Sequence, residues 1–331
     1  MSNTTAHALP QSMNSNAHPL ELLAPAGSFE ALQAALDAGA SAIYLGLKSL
    51  NARRGARNFD QEEFARAVET AHAHGARVHL TLNIDLTQRD LGQAARMLEL
   101  ARQVHADAVL VRDPAFLALR PHYPELEFHF STQTCMTSSA DVAAAGQLGA
   151  SRVVLARELT LSEIAAASAV PGVQTEIFAQ GALCFCISGR CLLSSWVGGH
   201  SGNRGACTSP CRVPWNLGDS PAGTPMSMRD LSIAHRLDEL RKAGVVSLKI
   251  EGRLKNPRWV AQAVSLYRRA LAGEDPATLA RDAADLGAYT GRSMTCGYLD
   301  AQRADLTATP QGRASSPAPD PSRGEPCVRP L

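Results

Sequence analysis

The sequence predicts an α/β fold, a TIM-type (β/α)8 barrel with a cysteine-rich insertion after the seventh strand and disordered N- and C-terminal tails. The main observation is that short apolar segments alternate with amphipathic segments of helical period from residue 20 onward. This alternation is typical of repeated strand–helix units. The length of 331 residues accommodates one barrel of about 250 residues together with an insertion. A doubly wound open sheet is the structural alternative.

The predicted barrel spans residues 19–300, its insertion spans 181–226, and the tails are 1–18 and 301–331. The first tail is polar and the second is rich in Pro, Ser and Arg, compositions that favour disorder. Helical segments include Ser28–Ala38, Gln61–His74 and Leu91–His105, the first with Ser28 as N-cap and Gly39 as C-cap. The eight predicted strands are Leu20–Ala24, Ala42–Leu47, Arg77–Asn83, Ala108–Arg112, Glu127–Ser131, Arg152–Ala156, Thr175–Ala179 and Ser247–Glu251.

The charges of the chain nearly cancel, because 32 Lys and Arg stand against 31 Asp and Glu, for a net charge of +1. This balance excludes a generally polycationic nucleic-acid-binding protein but not a local basic groove. No apolar run approaches the roughly 18 residues that a membrane-spanning helix needs. Residues 1–18 contain no Lys or Arg and no apolar run typical of a secretion signal. We therefore expect a cytoplasmic protein.

Five of the eight cysteines fall within residues 184–211. In a reducing compartment, such crowding indicates metal ligation or free thiols rather than disulfides. Without Cys186, the spacing is Cys184-x6-Cys191-x15-Cys207-x3-Cys211, and four thiolates suit either structural zinc or an iron–sulfur cluster. The wide first pair and the four glycines between 198 and 205 favour a bulky cluster. Zinc, and plain buried or redox-sensing thiols, are the alternatives.

Polar side chains follow the predicted strands at their carboxyl ends, where parallel barrels carry their active sites. Lys249, Glu251 and Arg253 alternate along the last strand, so we expect them to point inward together. They form either a catalytic or anion-binding group or an ion network that plugs the barrel mouth. For the remaining candidates the alternative is a loop hydrogen bond or a solvated position. These substrate-binding candidates are Asn83, Gln133, Arg157, Arg204 and Arg212.

Several motifs in order along the chain resemble peptidase family U32, the collagenase-like proteins. The matching segments are ELLAPAG (Glu21–Gly27), LNARRGARNF (Leu50–Phe59), HFSTQT (His129–Thr134), VVLARELT (Val153–Thr160), GALC, SGNRGAC, CR, SMRDL (Ser227–Leu231) and SLKIEGRLK (Ser247–Lys255). Together they cover about residues 20–300. Members of the family often have His directly before the GALC motif, whereas this chain has Gln180 at that position.

The resemblance implies a TIM-type barrel that holds a 4Fe–4S cluster through Cys184, Cys191, Cys207 and Cys211, with Cys186 left over. It also implies oxygen-independent or prephenate-dependent hydroxylation. Some relatives act on C5 of a pyrimidine in tRNA or rRNA, and others serve ubiquinone synthesis. Because the resemblance implies such a cluster, we expect an iron–sulfur cluster rather than zinc as the cofactor.

We therefore predict an iron–sulfur RNA base hydroxylase in which Lys249, Glu251 and Arg253 orient a small carboxylated co-substrate such as prephenate. Phosphate contacts would come from a basic group of Arg53, Arg54, Arg57, Lys255 and Arg258, with a solvated charge cluster as the alternative. A protease is a second hypothesis, although HExxH and GxSxG motifs do not occur. The third is an accessory factor in ubiquinone hydroxylation that works with a homologous partner protein.

Overall fold

Eight parallel strands close into a barrel in the computed structural model, which describes residues 20–217, 223–301, 306–307 and 328–330. The first seven pair in chain order, and the eighth, Ser247–Ile250, pairs with both the seventh and the first, which closes the barrel. This closure confirms the TIM-type fold and excludes the open sheet. The strands are β1 (Glu21–Ala26), β2 (Ala42–Leu45), β3 (Arg77–Leu82), β4 (Ala108–Val111), β5 (Glu127–Phe130), β6 (Arg152–Val154), β7 (Gln174–Ala182), β8 (Trp215–Leu217), β9 (Asp230–Ser232), β10 (Ser247–Ile250), β11 (Met294–Thr295) and β12 (Val328–Pro330).

Most of the helices surround the barrel and pack an apolar face against it. The helices are α1 (Phe29–Asp37), α2 (Gln61–Ala73), α3 (Leu91–Gln103), α4 (Ala115–Leu119), α5 (Ser139–Gln147), α6 (Leu161–Ser168), α7 (Leu193–Gly198), α8 (Leu237–Lys242), α9 (Pro257–Leu271) and α10 (Pro276–Ala288). Of these, α7 lies in the insertion and α10 packs against α9. Ser28 caps α1 as predicted, since its hydroxyl accepts a hydrogen bond from the Ala31 amide at 3.3 Å. Gly39 follows that helix at φ +91°, a conformation that glycine adopts without strain. None of the described helices is long and apolar enough to cross a membrane.

All eight predicted strands are present, each ending within three residues of the predicted end, and two of these differences affect the site. β7 continues three residues beyond Ala179 because β9 pairs with it in antiparallel register at Gln180, Gly181 and Ala182. β10 ends at Ile250, where its register with β7 shifts. The last two charged candidates, Glu251 and Arg253, therefore lie in the loop after the strand.

The amino end of the barrel interior is closed by buried ion pairs. The Glu176 carboxylate, fully buried, accepts hydrogen bonds from Lys249 at 2.8 Å and Arg152 at 3.3 Å. The Ser247 hydroxyl donates to both Glu176 and Glu21, and Arg152 also bonds Glu21. These pairs satisfy charges that burial would otherwise make costly.

The segment between β7 and β9 folds over the carboxyl ends of the barrel strands. Backbone hydrogen bonds join Asp85 to Asn203 at 3.2 Å and Arg54 to Gly205 at 3.3 Å. Residues 1–18 lie outside the described residues, as does most of 301–331. Within that second range, β12 pairs in antiparallel register with β8. The insertion thus covers the end of the barrel where the candidate residues converge.

Candidate functional site

A polar pocket opens at the carboxyl end of the barrel, beneath the cysteine-rich insertion. Five of the predicted residues line it: Asn83, Gln133, Lys249, Glu251 and Arg253. It offers only about 30 Å³ of free space, enough for very few water molecules. A larger ligand would therefore occupy the open mouth above these side chains.

Lys249 connects the pocket with the ion pairs of the barrel interior. Its ammonium lies 2.8 Å from the Glu176 carboxylate and 4.3 Å from the centre of the Tyr44 ring. Burial lowers the pKa of Lys249, although the Glu176 charge opposes this shift. Burial alone would raise the pKa of Glu176, but Lys249 and Arg152 hold it at about 2. Lys249 and Glu176 thus form an ion pair at neutral pH.

Glu251 forms an ion pair with Arg53, which follows β2. Both Nε and one terminal nitrogen of Arg53 donate to the same carboxylate oxygen, at 3.1 and 2.6 Å. Burial would raise the pKa of Glu251, but Arg53, followed by Arg157, lowers it. Glu251 is therefore a carboxylate held in one orientation at the pocket edge.

Arg253 is a buried cation that has no carboxylate partner among the described residues. It is 4% exposed and donates to the Thr81 hydroxyl at 3.1 Å and to the side-chain oxygen Oδ1 of Asn51 at 3.0 Å. Burial lowers its pKa to about 10, so it remains protonated at neutral pH. A buried guanidinium with only neutral partners favours an anion in the pocket.

The last strand does not carry a mutual Lys–Glu–Arg network, because each of the three residues pairs with a different strand or loop. Lys249 pairs with β7, Glu251 with the loop after β2, and Arg253 with β3 and the same loop. The expected interior ion network does exist, but at the amino end of the barrel, and of these three residues only Lys249 belongs to it. All three nevertheless line the pocket.

Asn83 and Gln133 lie in the pocket while also bonding to neighbouring loops. The Asn83 carbonyl oxygen accepts from the Ala52 amide at 3.0 Å, and its amide nitrogen donates to Ser131 at 3.3 Å. Gln133 accepts from Arg112 at 3.1 Å. Asn83 and Gln133 therefore both line the pocket and form hydrogen bonds with neighbouring residues.

The three predicted arginines lie outside the pocket lining. Arg204 donates to the Asp85 carbonyl oxygen and to the Asp90 carboxylate, which ties the insertion to the barrel. Arg212 donates to Ser227 at 3.1 Å and to the Leu183 and Met228 carbonyl oxygens, which braces the insertion. Arg157 donates to the Ala182 carbonyl oxygen at 3.0 Å.

The four predicted cysteine ligands lie in the insertion, and several of their thiols influence one another. Burial raises the pKa of the Cys191 thiol, and the thiols of Cys186 and Cys184 raise it further. The pKa of Cys211 is raised by burial, against the nearby Arg212, and also by Cys184 and Cys207. Cys184 thus acts on both Cys191 and Cys211, and whether the four thiols bind one group stays a prediction.

Within the described residues, the cysteine sulfurs are not gathered as closely as a tetrahedral zinc ion would hold them. Tetrahedral zinc with Zn–S bonds of about 2.3 Å holds its sulfurs only about 3.8 Å apart. Among the described residues, no three cysteine sulfurs lie within 4.8 Å of one another. An iron–sulfur cluster spreads its thiolates over several iron atoms and accommodates a wider cage.

The charge around Cys184 also suits an anionic cluster. The buried Nε of Arg157 has no hydrogen-bond partner within the part of the chain that the structure describes. Burial would lower the pKa of Arg157, but Cys184, followed by Glu251, raises it. Cys184 also raises the pKa of Arg53, although Glu251 has the largest effect there. These cations would balance a negatively charged thiolate-bound group.

Sequence reasoning missed three parts of the pocket. Tyr44, Asn51 and Thr81 contact the cations, and Arg53 was expected at phosphate rather than in a buried ion pair. Tyr44 and Thr81 point inward from β2 and β3, so strand alternation at those positions is the signal that identifies them. Asn51 lies in a loop, where periodicity gives no signal. Cys327 lies outside the described residues.

The model of the family described as peptidase family U32 matches residues 27–308 of this chain. The chain belongs to peptidase family U32. Its relatives include the tRNA hydroxylation protein P1 of Bacillus subtilis, 34% identical over 76% of this chain and 63% of the relative. The uncharacterized protease MJ0090 of Methanocaldococcus jannaschii is 36% identical, over 76% of this chain and 65% of the relative.

A third U32 relative is the 23S rRNA 5-hydroxycytidine C2501 synthase of Escherichia coli. It is 36% identical over 78% of this chain but only 40% of the relative. This U32 chain thus spans less than two thirds of the length of these three relatives. The residues that match the family model, 27–308, contain the pocket-lining residues and the cysteine-rich insertion.

Proposed function

We propose that this protein hydroxylates C5 of a pyrimidine base in tRNA or rRNA, in the cytoplasm. The geometric observation that carries the proposal is Arg253, a buried cation without a carboxylate partner among the described residues, in a pocket beneath the cysteine-rich insertion. Two relatives in the same family are named for hydroxylating tRNA and for making 5-hydroxycytidine in 23S rRNA. A pocket with an anion-binding cation and adjacent thiol ligands suits this reaction class.

Cys184, Cys191, Cys207 and Cys211 would hold a 4Fe–4S cluster in this proposal. Replacement of C5–H by C5–OH adds one oxygen atom and removes two electrons and two protons if water is the oxygen source, so a co-substrate must accept the electron pair or supply oxidised oxygen. A bound cluster would transfer electrons between the base and that co-substrate. The side chains supply positions and charge. Arg253 binds the carboxylate of a co-substrate such as prephenate, and Glu251, held by Arg53 at 2.6 Å, sets the negative edge of the pocket.

Asn83 and Gln133 are placed to contact the base. Amide groups can both donate to and accept from the polar edge of a pyrimidine. Lys249 keeps its proton through its pairing with Glu176 and adds positive potential beneath the anion. The pocket therefore combines an anion site with neutral hydrogen-bonding groups at its rim.

Two measurements on the full-length protein test the proposal. Anaerobic purification followed by iron, sulfide and zinc assays should find iron and sulfide, and Cys191→Ser should lose both. Cys186→Ser is the matched control, because Cys186 is the additional cysteine beside the proposed ligands, and it should retain the cluster. Mass spectrometry of nucleosides from a deletion strain should show the loss of one hydroxylated pyrimidine. Unchanged nucleosides would refute the RNA substrate.

A protease is the second candidate, since one relative is named an uncharacterized protease. Within the described residues, the one thiol–imidazole contact is Cys296 Sγ to His235 Nε2 at 3.5 Å. It lies outside the pocket. Cleavage of gelatin that survives iron chelation and disappears in Cys296→Ala would support this candidate. Dependence on a homologous partner protein, by contrast, would support an accessory role in ubiquinone hydroxylation.

A further inference from the structure

The insertion carries an exposed apolar surface that the barrel does not use. Trp196 in α7 is 87% exposed, whereas Trp215 and Trp259 are buried. Leu192, one helical turn before Trp196, and Phe185 are also exposed. Large apolar side chains concentrated in one segment mark an interaction site.

The same segment is devoid of negative charge. Residues 177–218 contain no Asp or Glu, although the whole chain is nearly neutral. The exposed Arg190 has no carboxylate partner among the described residues. The same holds for exposed Arg54, after β2, and for exposed Arg258, in the first turn of α9. Arg57, by contrast, pairs with Glu30 and Glu63 and is not available. Exposed aromatic rings beside unpaired arginines fit a polyanion with flat rings.

We propose that this surface, defined by Phe185, Arg190, Leu192 and Trp196, binds single-stranded RNA together with Arg54 and Arg258, which follow the carboxyl ends of β2 and β10. Trp196 and Phe185 stack on bases, and the arginines contact phosphates. The proposal rests on the proposed function and deepens it. The pocket lies inside the barrel mouth beneath the insertion, so a base can reach it only when unstacked from its neighbours. RNA presented as a loop or an end satisfies this requirement, whereas a duplex does not.

The test uses fluorescence anisotropy of a labelled single-stranded oligocytidylate of about 12 nucleotides, within the usual site sizes, with the full-length protein. Trp196→Ala should weaken binding about tenfold, the loss typical of one stacked base. Trp196→Phe should restore affinity to within about threefold, because phenylalanine still stacks. Lys242→Gln, which removes the exposed cation at the last residue of α8, before the amino end of β10, should leave binding unchanged. A duplex of the same length should bind more weakly.

Equal affinities for wild type and Trp196→Ala, or equal binding of duplex and single strand, would overturn the stacking surface. Trp196→Ala that binds RNA normally but no longer captures a protein partner would overturn it as well, in favour of a protein interface. The proposed function is tested separately by the nucleosides of the deletion strain. RNA binding that depends on Trp196, together with unchanged nucleosides, would therefore support the binding surface and refute the reaction. Loss of the hydroxylated pyrimidine, together with RNA binding that does not depend on Trp196, would support the reaction and refute the surface.

Discussion

At the scale of single residues, Arg253 has the strongest bearing on the reaction. Arg253→Gln removes the buried cation, so we expect the dissociation constant of prephenate to rise about tenfold or more, the range for a hydrogen bond to a charged group. Arg253→Lys should lose less, because it keeps the charge but not the fork of donors. Isothermal titration calorimetry measures both variants. Arg57→Gln on the exposed part of the neighbouring loop is the control, and unchanged binding by Arg253→Gln would contradict the anion site.

Residue types at strand ends could be predicted from the sequence, but their partners could not. The sequence predicts Glu251 and Arg253 in the pocket because they alternate with Lys249 along the last strand. Both line the pocket, although they lie in the loop after that strand. Their pairing with Arg53 and Asn51 joins residues about 200 positions apart in sequence, which periodicity does not specify. Arg204 and Arg212 were expected near substrate, and their carbonyl contacts brace the insertion instead.

At the scale of elements, the ion pairs among β1, β6, β7 and β10 determine how the barrel interior is filled. Glu176→Gln leaves Lys249 and Arg152 without their shared carboxylate, so we expect the free energy of unfolding to fall by about 3–5 kcal/mol. Glu127→Gln at the more exposed rim should cost under about 1 kcal/mol. Urea denaturation compares the two. A loss for Glu176→Gln as small as that of the control would contradict the ion-pair assignment.

The same carboxylate makes stability depend on pH. The pKa of Glu176 is about 2 in the folded protein, below its ordinary value of 4.5. Its contribution is therefore fully present above pH 4.5 and is lost as pH falls toward 2. Urea midpoints of the wild type should fall in that window more steeply than those of Glu176→Gln. Parallel curves for the two proteins would exclude Glu176 as the cause.

The insertion depends on close contact with the barrel loops. Gly205 has φ +81°, and a Cβ there would overlap the Asn51 carbonyl oxygen. Gly205→Ala should therefore displace the insertion and reduce the iron content, while the barrel keeps its thermal midpoint. Gly223→Ala is the control, because nothing lies within 4 Å of an added Cβ. Full iron retention in Gly205→Ala would show that this contact does not position the cysteines.

Strands were predictable because buried segments of the right length have few alternatives, whereas elements outside the barrel were not. β9 pairs with the end of β7 at three positions, and no apolar run in the sequence predicts this strand. α10 has a start signal in Asp275 and Pro276, with the Asp275 carboxylate capping the Thr278 amide at 2.9 Å. The position of α10 against α9, however, depends on tertiary packing that the local sequence does not encode.

At the scale of the whole molecule, near-neutral charge limits how RNA can be held. With three exposed unpaired arginines at the insertion face, we expect the logarithm of affinity to fall with the logarithm of salt with a slope of about −2. Affinity should thus drop about twentyfold between about 50 and about 200 mM salt. Arg190→Gln should reduce the slope by roughly one. Anisotropy titrations at several salt concentrations measure it, and a slope near zero would exclude phosphate contacts.

The closed amino end of the barrel has a kinetic consequence. Because Arg152, Glu176 and Ser247 are joined by buried hydrogen bonds at that end, a ligand of the pocket would enter from the carboxyl end, under the insertion. In the proposed function, a small carboxylated molecule must enter there before the bulky polynucleotide binds over the pocket. We therefore expect compulsory-order kinetics, in which the small molecule enters first and the polynucleotide second, and product inhibition patterns with each ligand distinguish this order from random addition.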